Sequence, residues 1–303
     1  MSELDDINRF SIGCNLQNSY SSHERLCELA KFLNKSSSLN IEIDFTQVDF
    51  IASNLFAVLG CLLSRWFASC PDKKNIRIRG LQVPISKIIR KSGFYVHFSN
   101  MTKLPDIHNT TIPYKIFNVT EIDEYERYLT LSLFARKDLP QMSKAVSDDI
   151  RDSLLELFKN VSDHTDSKKI FTCGQYFPKT EKIYFTIVDA GNTICGNVEQ
   201  YHKARMLEIP KSCLEWAIGA GNTTLETKTP RGIGLTLIRD FVKLNKGEIY
   251  IISGLETYEM INAKEKYRTF KETFPGTIVT IGFNLKDKSS YHMKSEENTT
   301  IQF

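Results

Sequence analysis

Between Ser147 and His164 the apolar residues fall at Ile150, Leu154, Leu157, Phe158 and Val161, the three-to-four spacing of one helical face. A helix with one apolar stripe must bury it against a second layer, so this stretch commits the C-terminal half to a layered fold. Ser147 or Asp148 is the expected cap, with acidic residues crowding the first turn, where they suit the helix dipole. Glu156, Asn160 and His164 recur every four residues and stack along one stripe. A carboxylate one turn from a carboxamide offers oxygen ligands for magnesium and a general base. Standing alone, such a pair is most often solvated helix surface.

A second layer is legible downstream. Lys169 to Gln175 and Lys182 to Val188 read as strands, close enough to pair as an antiparallel hairpin. The second runs into Asp189-Ala190-Gly191-Asn192-Thr193-Ile194. An ionised carboxylate is acceptor-only and suits reading a donor on a ligand; on its own the motif is equally a plain turn. Lys211 to Ile218, with Trp216, reads as a helix. Gly219 to Gly234 is dominated by small and polar residues, a composition suited to a mobile loop over a ligand. Gly232-Ile233-Gly234-Leu235 closes that run and opens a helix to Leu244. Backbone amides at such a helix start cradle phosphate, and Lys228 and Arg231 add positive charge. Asn245-Lys246-Gly247 ends the helix. Strands follow at Glu248 to Ser253 and, after a polar stretch and Pro275-Gly276-Thr277, at Ile278 to Leu285. There is no Gly-x-x-x-x-Gly-Lys loop, which argues against a P-loop enzyme.

Taken in this order, the Glu156 and Asn160 helix, Asp189-Ala190-Gly191, Gly232-Ile233-Gly234-Leu235 and Gly276-Thr277 resemble the Bergerat-fold ATP-binding family, the GHKL type of gyrase, heat-shock chaperones, histidine kinases and mismatch-repair ATPases. The match spans about Ser147 to Leu285. The resemblance implies an α+β sandwich, a mixed, largely antiparallel sheet with helices on one face, binding ATP and Mg2+. It implies Glu156 as the catalytic residue, with Glu156 and Asn160 at the metal. It implies Asp189 as acceptor for the adenine amino group, with Gly191 and Ile194 beside it. Lys228, Arg231, Gly232 and Gly234 fall at the phosphates, Leu235 and Thr277 complete the cofactor site, and 221–231 is the lid. Family members commonly carry a second glycine where this chain has Thr193, a β-branched residue that tightens or redirects the loop.

The first hundred residues alternate. Helices are expected at Ser22 to Leu33, Ser53 to Ala68 and Val83 to Lys91, and strands at Asn40 to Phe45 and Asn75 to Arg79, a small α/β layer. Asp44 to Leu59 and Ile88-Ile-Arg-Lys-Ser-Gly-Phe94 resemble the STAS domain of anti-sigma-factor antagonists. That family usually shows Asp-Ser-Ser-Gly at the long helix, its second serine accepting phosphate; here the place reads Ala52-Ser53-Asn54-Leu55. Asn54 cannot be phosphorylated, and Ser53 is expected as the helix N-cap. The half is therefore read as a protein-contact or structural module, with a phosphoswitch as the alternative.

The expected organisation is a STAS-like domain over 1–105, a connecting segment over 106–141, an ATP-binding domain over 142–287 and a loose polar tail over 288–303. The connecting segment holds a short strand at Pro113 to Phe117 and a helix at Ile122 to Phe134. A net charge of +3 gives no case for nucleic-acid or membrane binding. No apolar run approaches about 18 residues, and the N-terminus has no secretory pattern. The scattered cysteines, without a Cys-x-x-Cys pair, suit a reducing, cytoplasmic setting.

The leading expectation is a regulatory ATPase whose Mg-ATP state controls a protein contact, through the STAS-like half or the lid. Alternatives are an anti-sigma-like protein serine/threonine kinase and a non-catalytic ATP-sensing scaffold; a homodimer is a further option for the partner. Histidine kinase activity is disfavoured, because no histidine lies between His108 and His164.

Overall fold

In the N-terminal half, the alternation of short strands and helices becomes a parallel sheet. The computed structural model describes residues 7–69, 74–98, 102–219, 222, 233–293 and 296. The half runs β1 (Asn8–Ser11), α1 (Tyr20–Lys35), β2 (Asn40–Asp44), α2 (Phe56–Ala68), β3 (Asn75–Arg79) and α3 (Val83–Ser92). Its three strands lie in the order β1-β2-β3, all parallel. Ser19 caps α1 by accepting the Ser22 N–H. Gly93, at φ 83°, ends α3 in the left-handed conformation that a Cβ disfavours. Residues Phe56 to Leu63 of α2 are all buried, as befits a helix apolar on every side.

The C-terminal half runs β4 (Thr111–Asn118), α4 (Ile122–Leu129), α5 (Lys144–His164), β5 (Lys169–Phe177), β6 (Lys182–Asp189), α6 (Ile194–Ala204), α7 (Cys213–Ile218), α8 (Ile233–Leu244), β7 (Glu248–Ile261) and β8 (Lys264–Asn284). Its five strands take the order β4-β5-β6-β8-β7, every neighbouring pair antiparallel, so the sheet is not mixed as expected. β4, from the segment that sequence left between the halves, is an edge strand of this sheet.

Strand β6 shows why it reads as a continuous apolar run. Ile183, Phe185 and Ile187 join one core with Leu154 and Phe158 of α5 and Ile238 and Val242 of α8. Tyr184 and Val188, pointing the other way, join a second core with α1 and α2. Helices therefore cover both faces of the five-stranded sheet, not one: the N-terminal half is the second cover. Polar contacts register this interface. Asn54 Nδ2 donates to Thr186 Oγ1 at 2.9 Å, and that hydroxyl is 2.8 Å from Thr280 Oγ1. A Cβ on Gly60 of α2 would fall 2.1 Å from the Tyr114 hydroxyl of β4, so this crossing requires glycine.

Several expectations change. Ser53 does not cap α2; it sits in a 3-10 turn, fully buried, and its hydroxyl donates to Gly174 O at 3.0 Å. Helix α5 starts one turn before Ser147, because Ser143 accepts the Val146 N–H, so the acidic residues fall in later turns. The helix expected to reach Phe134 stops at Leu129 and continues as a π-helical turn, Thr130–Phe134. The polar stretch after Lys264 is strand: β7 and β8 form a long hairpin whose turn residues Asn262 and Ala263 take φ 49° and 61°. This arm clasps α1, where Tyr20 packs on Phe270 at 4.7 Å and its hydroxyl donates to Thr269 O at 2.7 Å. The expected loose tail is docked at Tyr291, whose ring meets Phe241 at 4.9 Å and whose carbonyl accepts the Ser143 N–H at 2.8 Å.

The six described cysteines form no disulfide. Among the described residues no helix is long and apolar enough to cross a membrane.

Candidate functional site

The packing of α5 on the sheet leaves a gap beyond the end of β6. There the β6–β8 ladder finishes with Asp189 opposite Thr277, and α6, α7 and the start of α8 close around it. The resulting cavity has a volume of about 160 Å³. Glu156 and Asn160 of α5, Asp189, Ile194, Leu235 and Thr277 all line it. Residues separated by up to about 120 positions in the chain thus share one space.

The walls are apolar. Leu157 and Val161 of α5, Ile187 and Val279 of the sheet, and Val198 and Trp216 of α6 and α7 surround a polar floor. Asp189 is that floor, only 3% exposed. Its Oδ1 accepts the Gly191 N–H at 3.0 Å. Its Oδ2 has no hydrogen-bond partner among the described residues. Burial pushes the carboxyl up to about 7; the Gly191 hydrogen bond opposes the shift and the nearby Asp166 charge adds to it. An incoming N–H donor would satisfy an acceptor that the protein leaves short.

Two glycines hold this floor. Gly276, at φ 147°, has no room for a side chain: a Cβ would fall 2.1 Å from Asp189 O. A Cβ on Gly191 would fall 2.6 Å from Thr165 Cβ. Gly191 does not line the cavity; it lets the loop close against the end of α5, which differs from its expected place beside the base.

Thr193, where the resembled family commonly has a glycine, is the N-cap of α6: its hydroxyl accepts the Gly196 N–H at 2.9 Å. The loop is redirected into a helix. That helix is missing from the sequence reading, although Thr193 followed by Ile194, Val198 and His202 carried its signal. Its start is fixed by Ser253 Oγ, which accepts the Ile194 N–H at 2.7 Å and lies 2.9 Å from Thr277 Oγ1. Trp216 is held by a T-shaped contact with His202 at 4.9 Å. Helix α7 is in turn anchored by Glu256, which accepts from Ser212 Oγ at 2.6 Å and from the Leu214 N–H at 3.0 Å. Asn192, Asn197 and Asn222 add carboxamides to the lining that sequence reading did not single out.

Glu156 and Asn160 are half-buried at the cavity. None of the described lining residues is a lysine, arginine or histidine. Gly234 falls in the first turn of α8, which starts at Ile233. Lys228, Arg231, Gly232 and, apart from Asn222, the expected lid 221–231 lie outside the described residues. Among the described residues no cluster of three or more His, Cys, Asp or Glu is placed to hold a metal. A magnesium ion carried by phosphates needs fewer, since phosphate and water supply most of its oxygens and one or two protein oxygens complete the shell.

No protein-family model matches the chain, and no curated protein matches it.

Proposed function

We propose that this cavity binds ATP with magnesium, and that the chain is a regulatory nucleotide-binding protein of the Bergerat type whose nucleotide state controls a protein contact. One observation carries the reading: an apolar slot, assembled from distant segments, ends on a buried carboxylate with an oxygen unpartnered among the described residues, and Glu156 and Asn160 line the same slot. A purine is flat and apolar on its faces, which suits the walls, and its exocyclic amino group is the donor Asp189 lacks. The residues fit the metal as well. Asn160 and Glu156 would hold magnesium, which would neutralise phosphate charge, and Lys228, Arg231 and the Gly234 amide would add to that. Glu156 would orient the attacking water or accept its proton.

Of the acceptors open to the kinase alternative, Ser53 of the chain's own STAS-like half is disfavoured. That serine is fully buried against β5, under the sheet face opposite the cavity. The regulatory ATPase is the preferred reading, with hydrolysis the step to test.

Calorimetric titration with ATP, ADP and GTP, with and without magnesium, tests binding. Magnesium-dependent binding of ATP in preference to GTP is expected; equal binding of the two, or none, overturns the adenine assignment. Incubation with γ-labelled ATP then separates released phosphate from labelled protein and from neither.

A further inference from the structure

We propose that the cleft between α3, β4 and the π-helical turn is a second binding site, for a phosphate-bearing small molecule. It encloses about 580 Å³, far more than a trapped water needs. Lys91, Lys103, Asn109, Ser132 and Arg136 line it, with Asp106 on one wall. The positive groups there are under-used. Asp106 already accepts from the Thr111 N–H at 2.6 Å, Thr111 Oγ1 at 2.8 Å and Thr110 Oγ1 at 3.2 Å. Lys91 stands off from it at 3.8 Å, and Lys103 pairs with no carboxylate among the described residues. The Arg136 side chain is 5% exposed; its Nε and Nη2 reach Asp138, while Nη1 is buried with no acceptor among the described residues. An unpaired guanidinium N–H out of water is costly, and an acceptor that reached Nη1 would remove that cost.

The backbone points the same way. The Ala135 N–H bonds Thr130 O, five residues back, a π-type turn of the kind that recurs at functional sites. Ser132 and Ala135 of this turn stand on the cleft wall. The cationic groups come from three separate segments: Lys91 from α3, Lys103 from the stretch before β4, and Arg136 from beyond the turn. A tetrahedral oxyanion presents acceptors in three directions, where a planar carboxylate presents two, so phosphate is the better match. The remaining volume accommodates its organic part. The site stands whether or not the other cavity takes ATP.

Inorganic phosphate, titrated into the full-length protein and followed by thermal shift, is the probe. A saturable rise in melting temperature is expected, with affinity about tenfold weaker in Lys103→Gln and in Arg136→Gln. Asp189→Asn, in the other cavity, should leave this binding unchanged. Should Arg136→Gln fail to fold, Lys103→Gln, at an exposed position, decides the matter. No saturable effect up to about 50 mM phosphate, or wild-type affinity in Lys103→Gln, overturns the proposal. So does loss of binding in Asp189→Asn with none in Lys103→Gln.

Discussion

Asp189 and Thr277 face each other across the last pair of the β6–β8 ladder, and both line the cavity. The residue before Thr277 is what allows this. Gly276 backs directly onto the Asp189 carbonyl at a φ of 147°, where no side chain fits. Gly276→Ala is therefore expected to destabilise the protein by about 2–4 kcal/mol, from backbone strain plus overpacking. Chemical denaturation measures it. A loss within about 0.5 kcal/mol would mean that the ladder end rearranges freely.

The buried Asp189 carboxyl ties binding to pH. Its folded pKa, pushed up from 3.8 to about 7, means that ionising it costs stability. That cost is absent below about pH 4, grows as pH rises and is complete above about 7. In the unliganded protein Asp189→Asn is thus expected to raise stability at pH 8 by about 1–3 kcal/mol and to change it little at pH 4. ATP affinity should move oppositely, falling by about 1.5–3 kcal/mol with loss of the charge-assisted bond. Parallel melting and titration of the variant read both signs. A variant that loses stability and keeps ATP contradicts the assignment.

Asn160→Ala tests the metal end. Asn160 is half-buried at the cavity edge, so the fold should survive. Affinity for Mg-ATP is expected to drop about tenfold, with metal-free ATP affinity nearly unchanged. An equal drop with and without magnesium would place Asn160 at another part of the ligand.

His23 sets an acid limit on the N-terminal half. The residue is 1% exposed, Nδ1 lies 2.8 Å from Ser19 O, and Nε2 is buried without a partner among the described residues. Burial holds the imidazole down, to about 4 from 6.5. A depressed histidine contributes stability that is intact above the unfolded value and lost as pH falls toward the folded one. Wild-type protein should therefore lose up to about 3 kcal/mol between pH 6.5 and 4 through this group. The difference in unfolding free energy between wild type and His23→Phe, followed over that range, isolates the term. A flat difference would show that His23 does not titrate with unfolding.

Gly60→Ala probes the seam between the halves. The added methyl would meet the Tyr114 hydroxyl at 2.1 Å, and that hydroxyl is itself buried without a partner. A loss of about 1–3 kcal/mol is expected. Helix propensity alone would favour alanine over glycine here by near 1 kcal/mol, so a net loss reads the clash itself.

The local grammar of the chain was legible wherever periodicity or a breaker residue carried it. The continuous apolar run of β6, the apolar stripe of α5 and Gly93 after α3 each declare themselves within a few residues, because side-chain period and backbone freedom are local properties. The order of Glu156, Asn160, Asp189 and Thr277 was likewise readable, and folding places all four at one cavity. Other features were decided by tertiary contact. Ser53 would cap a helix in isolation, but β5 offers its hydroxyl a buried carbonyl, and a buried acceptor outweighs a cap. The 264–272 stretch looks like polar loop because its side chains are solvated; it is strand because its backbone pairs with β7, which no local pattern of polarity announces. The second cover on the sheet is the largest such case. Nothing in the local spacing of α2 names the partner it buries against; that follows from Asn54 meeting Thr186 and Gly60 meeting Tyr114, contacts between residues far apart in sequence.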